Sequence, residues 1–329
     1  SLKMGHILIT IDGGTTNTRC LLWNLDELLL EEKVQIGIRD GAVKKTKQSL
    51  EIVLRNTLEI CLEKLSYTWE DVAGIVASGM LTSENGICEI PHIRVPVSME
   101  SLAQNMCCKQ FHNICPKPIW LISGVKNAAN DEVCGLDMMR GEETESMELL
   151  EQYYSGSAML LILPGSHNKM VQIDEKKNIC RCLTSMSGEM LYALSNHTVL
   201  SSKLCDYYVN AQNYNEAWIL NGAGVAAEKG LCKAAFEVRI KDVFEKRSKG
   251  ELANYLLGAV LSQDVLALNK SGMLRSPDKQ KIVISGRNKM VDAWKLLFTN
   301  MMPDWEVIMD RTPQLSGRGA KRIFEYRMN

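Results

Sequence analysis

Residues 7–19, Ile-Leu-Ile-Thr-Ile-Asp-Gly-Gly-Thr-Thr-Asn-Thr-Arg, join a carboxylate, two glycines and a run of hydroxyls to the end of an apolar strand. That order puts Asp12 at the mouth of a sheet, where it can hold a hydrated Mg²⁺. Gly13 and Gly14 permit a tight turn and a close approach of backbone to a ligand. Thr15, Thr16, Asn17 and the N–H groups of the turn can then donate hydrogen bonds to phosphate oxygens. The chain runs on into a second strand at 19–23, so the unit is a hairpin. The Walker loop and the Rossmann fingerprint open a helix instead. Gly, Thr, Asn and Asp are also common in ordinary turns, so a hairpin without a ligand is the plain alternative.

A related unit follows near mid-chain. Residues 160–164 read as a strand, Gly165-Ser166-His167-Asn168 as a small-residue turn, and 169–174 as the return strand. Laid beside the first hairpin, it keeps the order of strand, glycine, hydroxyl, Asn and strand, with Pro164 standing where Asp12 does. A repeat at close to half the chain length indicates internal duplication. Two such hairpins facing one cleft can clasp a phosphate tail from opposite sides. Lys169 would supply positive charge to a transferring phosphoryl group, where electrostatic stabilisation dominates.

The densest charged cluster is Met139-Arg140-Gly141-Glu142-Glu143-Thr144-Glu145, just before an expected helix. Acids there suit the helix dipole whatever their function. Arg140-Gly141 immediately ahead, however, sets a cation and carboxylates in one turn. Such a carboxylate can accept a proton from a hydroxyl attacking a γ-phosphate. Glu142 is the first candidate base and Glu143 the second; the sequence does not separate them. Glu189 of Ser187-Gly188-Glu189 and His197 of Asn196-His197 lie eight residues apart, roughly on one helix face. They suit a polyhydroxy ligand or a solvated helix end. Gly286, between a strand and a helix, can let an adenosine pack against backbone. The 77–86 loop, with Gly79, Met80 and Ser83, is either a substrate loop or a connector, and Arg19 is the remaining substrate-side candidate.

Positioning these residues calls for an α/β chain. Strands are expected over 5–12, 19–24, 32–37, 74–78 and 119–123, and helices over 46–65, 99–108 and 142–154, the first of these with apolar residues at helical spacing. The second part adds helices over 187–200, 215–231, 250–268 and 289–299 and strands over 281–284 and 305–309. Residues 153–157 are the expected hinge, which gives domains of 4–154 and 155–329.

The composition narrows the class. The chain has 329 residues, 46% of them hydrophobic, and a net charge of −1, so nothing favours nucleic acid or an anionic membrane as partner. No signal peptide or membrane-spanning apolar run is read. The 11 cysteines are odd in number and hold no Cys-x-x-Cys pair, which fits reduced thiols in a cytoplasm. A homodimer is compatible with the sequence but not fixed by it.

The strings Asp12-Gly13-Gly14-Thr15-Thr16-Asn17-Thr18-Arg19, Met139-Arg140-Gly141-Glu142-Glu143-Thr144 and Pro164-Gly165-Ser166-His167-Asn168-Lys169 together resemble the 2-dehydro-3-deoxygalactonokinase family. Ser187-Gly188-Glu189, Asn196-His197, Phe236-Glu237-Val238-Arg239 and Ser285-Gly286 extend the similarity over nearly the whole chain. The resemblance implies a duplicated ribonuclease H-like, actin-like ATPase fold, with two domains around a nucleotide cleft. It implies ATP and Mg²⁺ as cofactors and a sugar acid as partner, with transfer of the γ-phosphate to the terminal hydroxyl of 2-dehydro-3-deoxy-galactonate. The chain departs from the family's pattern at Glu84, at Ile87 after Gly86, and in the less acidic 127–132 turn. Another sugar or pantothenate as substrate, or a non-catalytic sugar-responsive protein on the same fold, are the competing readings.

Overall fold

The computed structural model describes residues 5–35, 47–274 and 280–329. In the first sheet the strands Ile7–Gly13, Thr18–Asn24 and Glu27–Val34 form an antiparallel meander. Val72–Gly79 and then Ile119–Leu121 add in parallel beside the first strand, and Cys107–Lys109 closes the far edge. The second sheet repeats this plan. Met159–Leu163, Asn168–Ile173 and Ile179–Ser185 form the meander, with Lys281–Ser285 and Glu306–Asp310 in parallel beyond. Both sheets therefore run third, second, first, fourth, fifth, with one extra edge strand on the first. The duplication read from the hairpins is a duplication of whole sheets.

The leading strands are mostly apolar because both of their faces are covered. Ile7, Ile9 and Ile11 pack with Leu50, Leu54 and Leu58 of the helix Lys47–Lys64. Leu8, on the opposite face, joins Leu21, Trp23, Leu161, Val171 and Val283 in one core that spans the two sheets. The far face of the second sheet, Leu160, Ile162, Ile282 and Ile284, packs on the helices Lys249–Ser271 and Lys289–Met301.

Several expected elements differ. The helix expected over 99–108 stops at Gln104, and Cys107–Lys109 pairs as a strand. The helix expected over 187–200 ends at Asn196. The strand expected over 32–37 begins earlier, at Glu27, and residues 36 and 37 lie outside the described residues, as does Thr46 at the expected start of the first helix. Strand Ile179–Ser185 and helices Leu231–Glu245 and Leu315–Met328 were not foreseen. The last of these lies against the first sheet: a Cβ on Gly319 would fall 1.7 Å from the Thr144 carbonyl oxygen, and one on Gly74 would fall 2.4 Å from the Phe324 ring. A boundary at 154/155 thus separates the two sheets but not this helix from the first of them. At that boundary Lys281 Nζ donates to the Tyr153 carbonyl and the Ser155 hydroxyl at 2.9 and 2.8 Å.

Candidate active site

The first strand carries Asp12 to its end, opposite Arg19 on one side and Ser78 on the other. Gly14 N–H donates to the Asn17 carbonyl at 2.8 Å, which closes the turn and leaves Thr15 and Thr16 exposed at its tip. Gly79, next along the parallel strand, has φ +69°, and a Cβ there would lie 2.8 Å from Asp12 Oδ1 and 2.6 Å from the Gly13 carbonyl oxygen. Gly141 has φ +113°, and its Cβ would meet Gly79 Cα at 3.4 Å. Positive φ favours glycine at both positions, and at Gly79 the close approach to Asp12 and Gly13 requires it as well. The ends of two strands and the start of the helix Glu142–Tyr153 therefore meet at one point.

Negative charge concentrates there. Burial pushes the Asp12 carboxyl up to about 6; Arg19 opposes this, Glu142 adds to it, and the Ser316 hydroxyl hydrogen-bonds to Asp12. Burial also raises Glu142, with Lys169 as the main opposing charge, and raises Glu145 strongly, with Glu142 and Asp12 adding to the effect. Glu142 and Glu143 differ in direction. Glu142 interacts with Asp12, Lys169 and His167, all belonging to the two hairpins. Glu143 is fully buried, accepts the Gly141 N–H at 2.6 Å, and has one carboxyl oxygen with no hydrogen-bond partner among the described residues. Burial, aided by the Glu142 charge, pushes Glu143 up to about 8.

Arg140 faces away from this acidic centre. Its guanidinium donates to the Thr82 carbonyl and hydroxyl at 2.7 and 2.6 Å and to the Ile90 carbonyl at 2.6 Å. It ties the 139–142 turn to the 79–92 loop. Ser83 is likewise occupied inside that loop, its hydroxyl on the Met80 carbonyl at 2.6 Å.

The second hairpin is braced from behind. Asn168 Oδ1 accepts the Gly165 N–H at 3.0 Å, and its amide donates to Ser187 and, at 3.0 Å, to Asp264. Asp264 also accepts from the Ser185 and Ser187 hydroxyls at 2.5 and 2.6 Å. Ser187 is thus part of this brace. A Cβ on Gly188 would fall 2.1 Å from the Gly165 carbonyl oxygen, so only glycine lets the Ser187–Asn196 helix lie on this turn. His167 meets Glu189 at 2.9 Å above it. Lys169 is buried and donates to the Met138 carbonyl and the Thr184 hydroxyl at 2.6 and 2.7 Å. It therefore bridges the two halves, reaching Met138, which lies four residues before Glu142.

A cavity of about 460 Å³ opens beside this turn. Its lining includes Gly165, Ser166, Gly188, Gly286, Tyr207 and Leu257. Gly286 is held by its N–H on the Asp310 carbonyl at 3.0 Å. His197 caps the far end of its helix, exposed and against Tyr192, eight residues beyond Glu189 and outside this lining. The structure thus gathers Asp12, Gly13, Gly79, Met80 and Glu142 at one centre and Gly165, Ser166 and Gly286 at the cavity. Asp264 and Ser316 were missed because nothing near them in sequence marks them.

A family model described as 2-keto-3-deoxy-galactonokinase matches residues 12–319. A crystal structure from Sinorhizobium meliloti, provisionally assigned as a 2-dehydro-3-deoxygalactonokinase, aligns with a TM-score of 0.76 at 17% identity, covering 97% of each chain. Component A of the (R)-2-hydroxyglutaryl-CoA dehydratase of Acidaminococcus fermentans aligns with a TM-score of 0.51 at 12% identity, over 98% of this chain and 99% of its own. No curated protein sequence matches. The structural likenesses show the fold, the actin-like ATPase arrangement of two ribonuclease H-like sheets. The family model spans nearly the entire chain, and with the Asp12, Arg140–Thr144 and Gly165–Lys169 segments all inside it, the protein belongs to the 2-keto-3-deoxy-galactonokinase family.

Proposed function

We propose that the protein transfers the γ-phosphate of ATP to the terminal hydroxyl of 2-dehydro-3-deoxy-galactonate. The observation that carries this reading is the meeting of Asp12 and Glu142 where two strand ends and a helix start converge, across from the braced Gly165–Ser166 turn. The cavity beside that turn is of small-molecule size. Its aromatic and aliphatic walls suit a nucleoside, and the backbone of Gly165 and Ser166 suits the phosphates beyond it. Thr15 and Thr16 would hold the phosphates from the other half.

Asp12 suits a hydrated Mg²⁺, because the acids around it outnumber Arg19 and leave it short of positive charge. Among the described residues no group of three metal-binding side chains gathers. That fits Mg²⁺, which keeps waters and binds through one or two carboxylates together with substrate phosphates. Bound there, the ion would neutralise charge on the transferring phosphate.

Glu142 is the proposed base, since it faces both hairpins and Lys169 favours its ionised form. Glu143, pushed up to about 8, is protonated at neutral pH and so is poorly suited to accept a proton. Arg140 and Lys169 hold the base in place from the two halves. Closure of the halves would exclude water and favour transfer over ATP hydrolysis. The test is incubation with ATP·Mg²⁺ and a panel of 2-keto-3-deoxy acids, neutral hexoses and pantothenate, with products identified by mass spectrometry. Phosphorylation of a keto-deoxy acid supports the reading, and turnover of pantothenate or a neutral hexose alone defeats it.

A further inference from the structure

A small three-stranded sheet, Ile93–Arg94, Val125–Lys126 and Met138–Met139, leads directly into the Arg140–Glu142 turn. Its inner face, Val125 and Met139, is buried in the shared core. Its outer face sets Arg94 beside Lys126 in register and Lys126 beside Met138. Both cations are exposed, and neither side chain has a hydrogen-bond or ion-pair partner among the described residues. Like charges directly opposite across strands are destabilising, so this pairing is at odds with the sheet's own stability.

His92 immediately precedes the row. Its Nδ1 lies 3.3 Å from the Arg140 guanidinium, which can only donate. That contact leaves the imidazole proton on Nε2, a further donor. Burial and the charges of Arg140, Lys126 and Lys169 hold His92 down to about 4, so it stays neutral. Arg140 and Lys169 are occupied by carbonyl and hydroxyl groups. Of the cations around His92, Arg94 and Lys126 are the ones without a hydrogen-bond or ion-pair partner among the described residues.

We infer that Arg94 and Lys126, with His92 beside them, form the subsite for the carboxylate of the sugar acid, an inference that rests on the kinase reading above. The acidic centre at Asp12 and Glu142 would take the hydroxyl end of the substrate, and this row the opposite end. Met138, next to Lys126, is four residues before Glu142, at most about 13 Å along an extended chain. An extended six-carbon acid spans about 6 Å at ~1.5 Å per bond, and a lysine side chain covers much of the remainder. An anion between the two cations also removes the repulsion that the empty row carries.

The test uses the full chain, with R94Q, K126Q and the double variant. Calorimetry without ATP compares D-galactonate with galactitol, which carries hydroxyls but no carboxylate. The wild type should bind galactonate at least about tenfold more tightly, and the double variant should lose that preference. In turnover, each single variant should raise KM for the keto-deoxy acid about tenfold and the double variant about a hundredfold, with kcat and KM for ATP within about twofold, the signature of lost ground-state binding. The melting temperature of the double variant should not fall, because removing the like charges relieves repulsion. An unchanged KM for the acid, an equal rise in KM for ATP, or no preference for galactonate in the wild type would each overturn the assignment. A wild type that prefers galactonate through these residues yet phosphorylates no acid would overturn the kinase reading alone.

Discussion

Gly188→Ala gives the sharpest test of how the second hairpin is held. The added Cβ would lie 2.1 Å from the Gly165 carbonyl oxygen and 2.8 Å from Ser166 Cα. Both obstacles are backbone, so no side chain can swing away. Reaching ordinary contact requires a displacement of about 1 Å between the Ser187–Asn196 helix and the turn. The helix cannot easily take up that shift. Glu189 N–H is bonded to the Ser166 carbonyl at 3.0 Å, and Ser187 is held by Asp264 at 2.6 Å. The turn itself must move, and with it the backbone proposed to hold the phosphates. A misplacement of about 1 Å in a positioned site can cost about a hundredfold in rate. KM for ATP should therefore rise about ten- to a hundredfold with a comparable loss of kcat/KM, measured by a coupled ADP assay. Circular dichroism should show the helical content retained. A folded variant with unchanged kinetic constants for ATP would refute the reasoning.

Three further substitutions probe the acidic centre and the turn that carries it. Glu142→Gln should lower kcat by roughly 10²–10⁴-fold while leaving ATP affinity nearly intact, as determined by nucleotide titration alongside turnover; a fully active variant rejects Glu142 as base. Glu143 binds its proton more tightly in the folded chain, at about 8 against 4.5. It therefore favours folding at and below the unfolded value, and that contribution is lost as pH rises through about 8. Glu143→Gln, which cannot ionise, should accordingly gain melting temperature relative to wild type between pH 6 and pH 9; a constant difference across that range contradicts the buried carboxyl. Arg140→Met strips donors from the Thr82 and Ile90 carbonyls and should cost about 3 kcal/mol of stability in urea unfolding. A variant with wild-type stability but no activity would return Arg140 to a direct catalytic role.

The two hairpins were readable because a phosphate-gripping turn is a local affair of glycine, hydroxyl and Asn within a few residues. Their repetition pointed to an internal duplication, and the two sheets share one strand order. What escaped the sequence depends on partners far apart along the chain. That the Arg140 guanidinium is taken up by Thr82 and Ile90, more than forty residues upstream, cannot be read from the turn itself. Asp264 sits in a helix whose buried Leu257, Leu261, Val265 and Leu268 advertise only a core. Helix Leu315–Met328 has no counterpart among the expected elements; its seating rests on Gly317 and Gly319, which let it touch Leu21 and the Thr144 carbonyl far away along the chain. Glu142 and Glu143 are adjacent on a helix and so point about 100° apart. Which of them meets the hairpins is decided by how that helix is seated, and the seating depends on Gly79, Gly141 and Gly319 together.

The central claim is phosphoryl transfer to a sugar acid, and the most direct measurement is ³¹P NMR of the product formed from ATP·Mg²⁺ and 2-dehydro-3-deoxy-galactonate. The account predicts ADP and a new phosphomonoester at the terminal carbon in equal amounts, both formed at least about a hundredfold more slowly in Glu142→Gln. ADP accompanied only by inorganic phosphate, or no consumption of ATP with this acid, would contradict it.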